Sequence, residues 1–187
     1  MQDTSKLTSS HPLNPRQWDE ALKLVRRLED SQGMRVDPEI EQLVTALRLL
    51  GYKTVMSCGG HLDRRTTGPY VVIRSQATGE LVDHAEREVD ESKKQQWFRE
   101  AQNLARQEVL GLKRHVDTVN ERNDGTGRQS IMELRPSGHS SFRLCFVHAD
   151  FDGQLDDTSY AEAIRSRRAT IEILLTKLTS ELGLELE

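Results

Sequence analysis

A thiol, an imidazole, a carboxylate and two guanidinium groups gather around two glycines in the segment Ser57-Cys58-Gly59-Gly60-His61-Leu62-Asp63-Arg64-Arg65. Each does chemistry that most side chains cannot. A cysteine thiolate is a nucleophile and a soft metal ligand, histidine exchanges protons near neutrality, and arginine grips phosphate or carboxylate with a planar fork. The chain has two cysteines, and the second, Cys145, repeats the start of the pattern, because His148 follows it at the spacing at which His61 follows Cys58.

Three kinds of chemistry fit these residues. In the first, Gly59 and Gly60 adopt positive φ and their backbone N–H groups converge on an anion, with hydroxyls from Ser57 and Thr66 and a guanidinium from Arg64 or Arg65 completing the cradle. The candidate ligand-binding residues are then Ser57, Cys58, Gly59, Gly60, His61, Asp63, Arg64 and Arg65, with Cys58 and His61 as candidate nucleophile and acid/base. The partner would be a phosphate-bearing small molecule or a nucleic-acid end. The plainer alternative is a tight turn in which Asp63 pairs with an arginine and Cys58 is packing.

In the second, Cys58 to Arg64 matches the Cys-x5-Arg spacing of cysteine phosphatases. Those loops draw anion affinity from a following helix N-terminus, whereas Thr66-Thr67-Gly68-Pro69 here leads into a strand. In the third, Cys58, His61, Cys145 and His148 supply the thiolate and imidazole donors that tetrahedral zinc prefers. Gly59-Gly60 lets the first pair converge. Residues three apart in an extended strand point to opposite faces, so Cys145 and His148 need a bulge between them, and without one Cys145 is a buried packing residue.

Other polar groups read more simply. Asp150-Phe151-Asp152-Gly153 with Asp156 and Asp157 departs from a calcium loop and suits a turn followed by a helix cap. His139 in Pro136-Ser137-Gly138-His139 belongs to a hairpin turn, and His84 and His115 to solvated helix faces. The same solvated reading covers Lys113 with Arg114 and the run Arg165, Arg167 and Arg168. Trp97-Phe98 suits a core or partner contact.

These side chains must be positioned by regular elements, and the punctuation of the chain is clear. Residues 1–13 are polar and proline-containing and read as a disordered tail. Asn14-Pro15 opens a helix through Trp18, Ala21, Leu22, Val25 and Leu28, ended by Ser31-Gln32-Gly33; Asp37-Pro38 opens a second, ended by Gly51. Tyr52 to Ser57 and Tyr70 to Ile73 are strand-forming runs on either side of the cysteine loop. A long charged helix is expected over residues 83–119, with a break near Gly111. Strands at Ile131 to Arg135 and Phe142 to Val147 form a hairpin, and a last helix runs from Ser159 to Leu182. The order ααββαββα predicts an α+β domain over residues 14–187, with a mostly antiparallel sheet of about four strands and helices packed against it.

Composition narrows the setting. With 187 residues, 30% of them charged, and apolar runs of a few residues only, the chain has nothing that could cross a bilayer, and Met1 to Ser10 lacks a signal-peptide core. A cytoplasmic location, reduced thiols and no membrane partner are expected. The net charge of −4 excludes a broadly basic nucleic-acid coat but permits local basic patches. The long charged helix supplies a candidate protein-partner surface.

The stretch Val36-Asp37-Pro38-Glu39-Ile40 through Leu43-Val44, Leu47 and Gly51, then Thr54, Ser57-Cys58, Gly60-His61-Leu62-Asp63 and Pro69-Tyr70-Val71, resembles a group of small uncharacterised proteins of bacteria and their phages. Arg168 to Leu178 is similar to the tail of that group. The resemblance implies no activity. Thr54, Ser57, Cys58 and Gly60 also resemble the Thr-x-x-Ser-Cys-x-Gly strand end of the wybutosine tRNA-modification methyltransferase family, in which an arginine stands where this chain has His61. Three functions are consistent with the sequence: an anionic-ligand loop, a non-catalytic interaction or regulatory protein, and a zinc-binding protein.

Overall fold

The computed structural model describes residues 13–29, 33–62, 68–75, 78–122, 131–138, 140–147 and 154–184. The chain folds as helix α1 (Pro15–Val25), a 3-10 turn (Pro38–Ile40), α2 (Glu41–Leu49), β1 (Lys53–Cys58), β2 (Tyr70–Arg74), α3 (Gly79–Arg87), α4 (Glu91–Glu108), α5 (Leu110–Arg122), β3 (Met132–Pro136), β4 (Ser141–Phe146) and α6 (Asp157–Glu181). The four strands form one antiparallel sheet in the order β1-β2-β4-β3, giving the α+β class expected.

Alternation along the strands sets the layers. Val71, Ile73, Leu144, Phe146 and Met132 are buried in one core with Leu43 and Leu47 of α2, Leu112 and Val116 of α5, and Ile171, Leu174 and Leu178 of α6. Tyr70, Val72 and Arg74 alternate with the buried positions of β2 and stay half-exposed, as a period of two requires. There the Arg143 guanidinium lies 4.0 Å from the centre of the Tyr70 ring. A register shift between Thr54 and Met56 marks a bulge in β1.

The helices depart from expectation at their ends. Asn14 and Gln17 form the reciprocal capping box that starts α1, which stops at Val25, short of the turn foreseen around Gly33. Asp37-Pro38 begins a 3-10 turn, and α2 proper starts at Glu41. The segment expected as a long helix with a break near Gly111 is three helices. Asp90 accepts from the backbone N–H groups of Ser92 and Lys93 and so starts α4 afresh, and a second interruption at Val109, next to the break expected near Gly111, starts α5. The cap reading of the acidic run holds for Asp156, whose carboxylate accepts from Ser159 N at 2.8 Å, while residues 148–153 lie outside the described residues. Of the tail, Leu13 is described, and its N–H donates to Leu182 O at 2.9 Å. No helix among the described residues is long and apolar enough to cross a membrane.

Candidate metal centre

β1 delivers Cys58 to the rim of the sheet, half-buried and paired across the ladder with Tyr70. Beyond it the backbone turns at once, and of the two glycines expected at positive φ Gly60 alone adopts it. Gly60 has φ +76°, and a Cβ there would stand 2.8 Å from Pro69 Cδ and 3.0 Å from Ile164 Cδ1. At Gly59 a Cβ would press on Glu39 and Asp37 at 3.1 and 3.2 Å. The loop thus lies directly against the chain entering α2.

That entry contributes a residue the loop sequence does not announce. Asp37 precedes the 3-10 turn in extended backbone, the place for a capping aspartate, yet its side chain makes no capping bond. Its carboxylate turns to the loop. Oδ2 accepts from Gly59 N at 2.7 Å and lies 3.3 Å from His61 Nε2. The N–H of Gly60 donates to Cys58 Sγ at 3.4 Å. One donor atom from each of Asp37, Cys58 and His61 lies within 4.8 Å of the other two.

α6 fixes the far side of the loop. Tyr160, Ile164 and Arg168 recur every fourth residue and so share one stripe of the helix. The Tyr160 hydroxyl donates to His61 O at 2.8 Å, Ile164 abuts Gly60, and Arg168 Nη2 donates to Gly60 O at 2.8 Å. Arg168 also reaches Glu39 Oε1 at 3.4 Å, tying α6 to the same entry segment that carries Asp37. The basic run is therefore not a solvated face throughout. Arg167 is 1% exposed, with its guanidinium 5.8 Å from the Phe146 ring centre.

The loop amides and the expected site residues can now be placed. The Gly59 and Gly60 N–H groups, foreseen as an anion nest, are directed at Asp37 and Cys58 of the chain itself. Ser57 pairs with Val71 in the ladder. Asp63, Arg64 and Arg65 lie outside the described residues, as do His139 and His148. Cys145 is 5% exposed within β4 opposite Glu133, is not disulfide-bonded to Cys58, and falls outside the donor cluster.

The closed triangle of donors has the shape of a metal site more than that of a linear relay. In a linear Cys–His–Asp relay the imidazole stands between sulfur and carboxylate, which puts those two roughly 7–8 Å apart, two hydrogen-bond lengths plus a ring. Three atoms all within 4.8 Å of one another instead surround a common point. Zinc bonds of about 2.0–2.3 Å place neighbouring donors roughly 3.5 Å apart, and the 3.3 Å between Asp37 and His61 is already at that spacing. Thiolate with imidazole selects zinc-type ions over magnesium or calcium, which prefer oxygen. The bonds from Gly59 to the carboxylate and from Gly60 to the sulfur are the outer contacts that orient such ligands.

No protein-family model, curated protein or solved structure matches the chain. A role for the loop is therefore assigned from its chemistry.

Proposed function

We propose that this protein binds an anionic ligand, phosphate being the simplest, through a zinc-type ion held by Asp37, Cys58 and His61. The mutual approach of the three donor atoms to within 4.8 Å carries the proposal. Three protein donors leave one tetrahedral position open, which distinguishes ligand-binding and catalytic zinc sites from closed four-donor structural ones. An anion that enters that position meets a divalent charge, which the two loop amides, engaged within the chain, do not supply. Arg64 and Arg65 follow in sequence and would add bidentate contacts to a phosphate.

Calorimetric titration with inorganic phosphate, on zinc-loaded and on chelator-treated protein, tests this directly. Binding is expected in the loaded protein and lost after chelation. Equal binding in both would return the anion to the backbone nest, and none in either would remove the ligand while leaving the metal to be measured separately.

A second reading is supported by the α3–α4 pair. Val89, in the turn between these helices, is 95% exposed, and Trp97 and Phe98 on α4 are half-exposed. A partner surface on this pair predicts that Val89→Asp abolishes a co-purifying partner while metal content stays unchanged.

A further inference from the structure

The two edges of the sheet are finished differently. At the β3 edge the Asn120 carboxamide from α5 donates to Met132 O at 2.8 Å and accepts from Met132 N at 2.9 Å, occupying the place of a neighbouring strand. No strand among the described residues pairs with the outer side of β1, and the Arg48 side chain reaches Thr54 O of that edge only at a long 3.4 Å. Alongside it runs a groove of about 250 Å³, walled by residues 28–29 and 34–36 on one side and by Lys53 to Ser57 on the other. Five consecutive residues of β1 line it, so its wall is the edge of the strand and not one face.

Apolar side chains and unmatched charge converge there. Met34, Val55 and Met56 are 56%, 38% and 37% exposed, and Val55 sits at the bulge of β1. Glu29 is within 3.6 Å of Arg35, which leaves Arg48 and Lys53 as cations of the lining without a carboxylate of the lining beside them. Arg48 is half-buried, and its hydrogen bonds, to Thr54 O at 3.4 Å and Thr54 Oγ1 at 3.3 Å, are long and go to uncharged oxygens. Burial lowers its pKa from the ordinary guanidinium value, as expected of a cation kept from water. A carboxylate delivered to Arg48 would be a charge-assisted, bidentate partner.

We propose that this groove docks an extended acidic peptide segment, which adds to β1 as a further strand, seats apolar side chains against Leu28, Met34, Val36 and Val55, and sets a carboxylate on Arg48. Strand addition at an open edge takes affinity from the main chain and specificity from alternate side chains. A second copy of β1 is a poorer occupant, because Lys53-Thr54-Val55-Met56-Ser57-Cys58 carries no acid and brings its own lysine. The proposal does not depend on the metal centre.

Fluorescence polarisation with a labelled octapeptide of alternating glutamate and valine tests it, against the lysine-valine counterpart and against the acidic peptide N-methylated at alternate amides. The acidic peptide is expected to bind at least about tenfold more tightly than either control, with or without chelator. Arg48→Met should weaken it about tenfold, Arg48→Lys should restore part of the loss, and Met56→Glu, at an exposed site of the lining, should weaken it without lowering the melting temperature. Absence of binding, equal binding of the charge-reversed or methylated peptide, or no response to Arg48→Met would overturn the proposal. So would self-association that is broken by Val55→Lys, which would put a second copy in the groove.

Discussion

The chain uses the same Cys-x-x-His spacing twice, and the two copies meet different backbones. Cys58 ends its strand and is followed by Gly59-Gly60, so the chain can fold back and bring His61, Asp37 and the sulfur together. Cys145 sits inside β4, followed by Phe146, which is buried in the core, and Val147, whose N–H donates to Ile131 O at 2.8 Å. Among the described residues the first copy brings its thiol and imidazole together, whereas His148 of the second lies outside them. The residues that follow each cysteine differ: β1 stops at Cys58 before two glycines, whereas β4 runs on through the buried Phe146.

The comparison can be broken most severely at Gly60. Replacement by alanine forces a Cβ into the left-handed region and against Pro69, combining backbone strain with overpacking. A loss of about 3 kcal/mol is expected in denaturant unfolding, together with loss of metal binding. Next comes Asp37→Asn, which keeps an oxygen for Gly59 N–H but removes the charge that an ion requires. Metal affinity, measured by chelator competition, should fall roughly a hundredfold. Unfolding in the absence of metal should shift by only about 1 kcal/mol.

Cys145→Ser sharpens the contrast from the other side. A hydroxyl in the 5% exposed site should cost about 1–2 kcal/mol of stability and leave metal affinity unchanged. The smallest change in stability is expected for Tyr160→Phe, which removes one hydrogen bond to His61 O. About 1 kcal/mol of stability and about tenfold in metal affinity should be lost, the second because the ligand loop is less firmly held.

The fold was largely legible because its signals are local. Alternation at Tyr70 to Ile73, the caps at Asn14 and Asp156, and the paired runs around Pro136-Ser137-Gly138 each specify an element without reference to distant residues. In the long charged segment the break near Gly111 was legible and the earlier one was not, because the polar periodicity runs on through Glu88 to Asp90, where the Glu88 and Asp90 side chains claim backbone N–H groups. The candidate site was half legible. Cys58, Gly59, Gly60 and His61 stand together in sequence, whereas Asp37 lies 22 residues before Gly59, and Tyr160 and Arg168 act from 99 and 108 residues beyond the carbonyls they hold. Asp37 reads as an ordinary cap from its Asp-Pro context, and nothing local says that its carboxylate faces elsewhere. The four-residue recurrence of Tyr160, Ile164 and Arg168 was the available signal for the α6 stripe.

Cobalt titration of the chelator-treated protein tests the metal centre most directly, because a cobalt–thiolate bond has its own charge-transfer absorption. One cobalt ion per chain should bind with that absorption, Cys58→Ser should abolish it, and Cys145→Ser should leave its intensity unchanged. Absence of cobalt binding, or equal loss of the absorption in the two cysteine variants, would contradict a centre built from Asp37, Cys58 and His61.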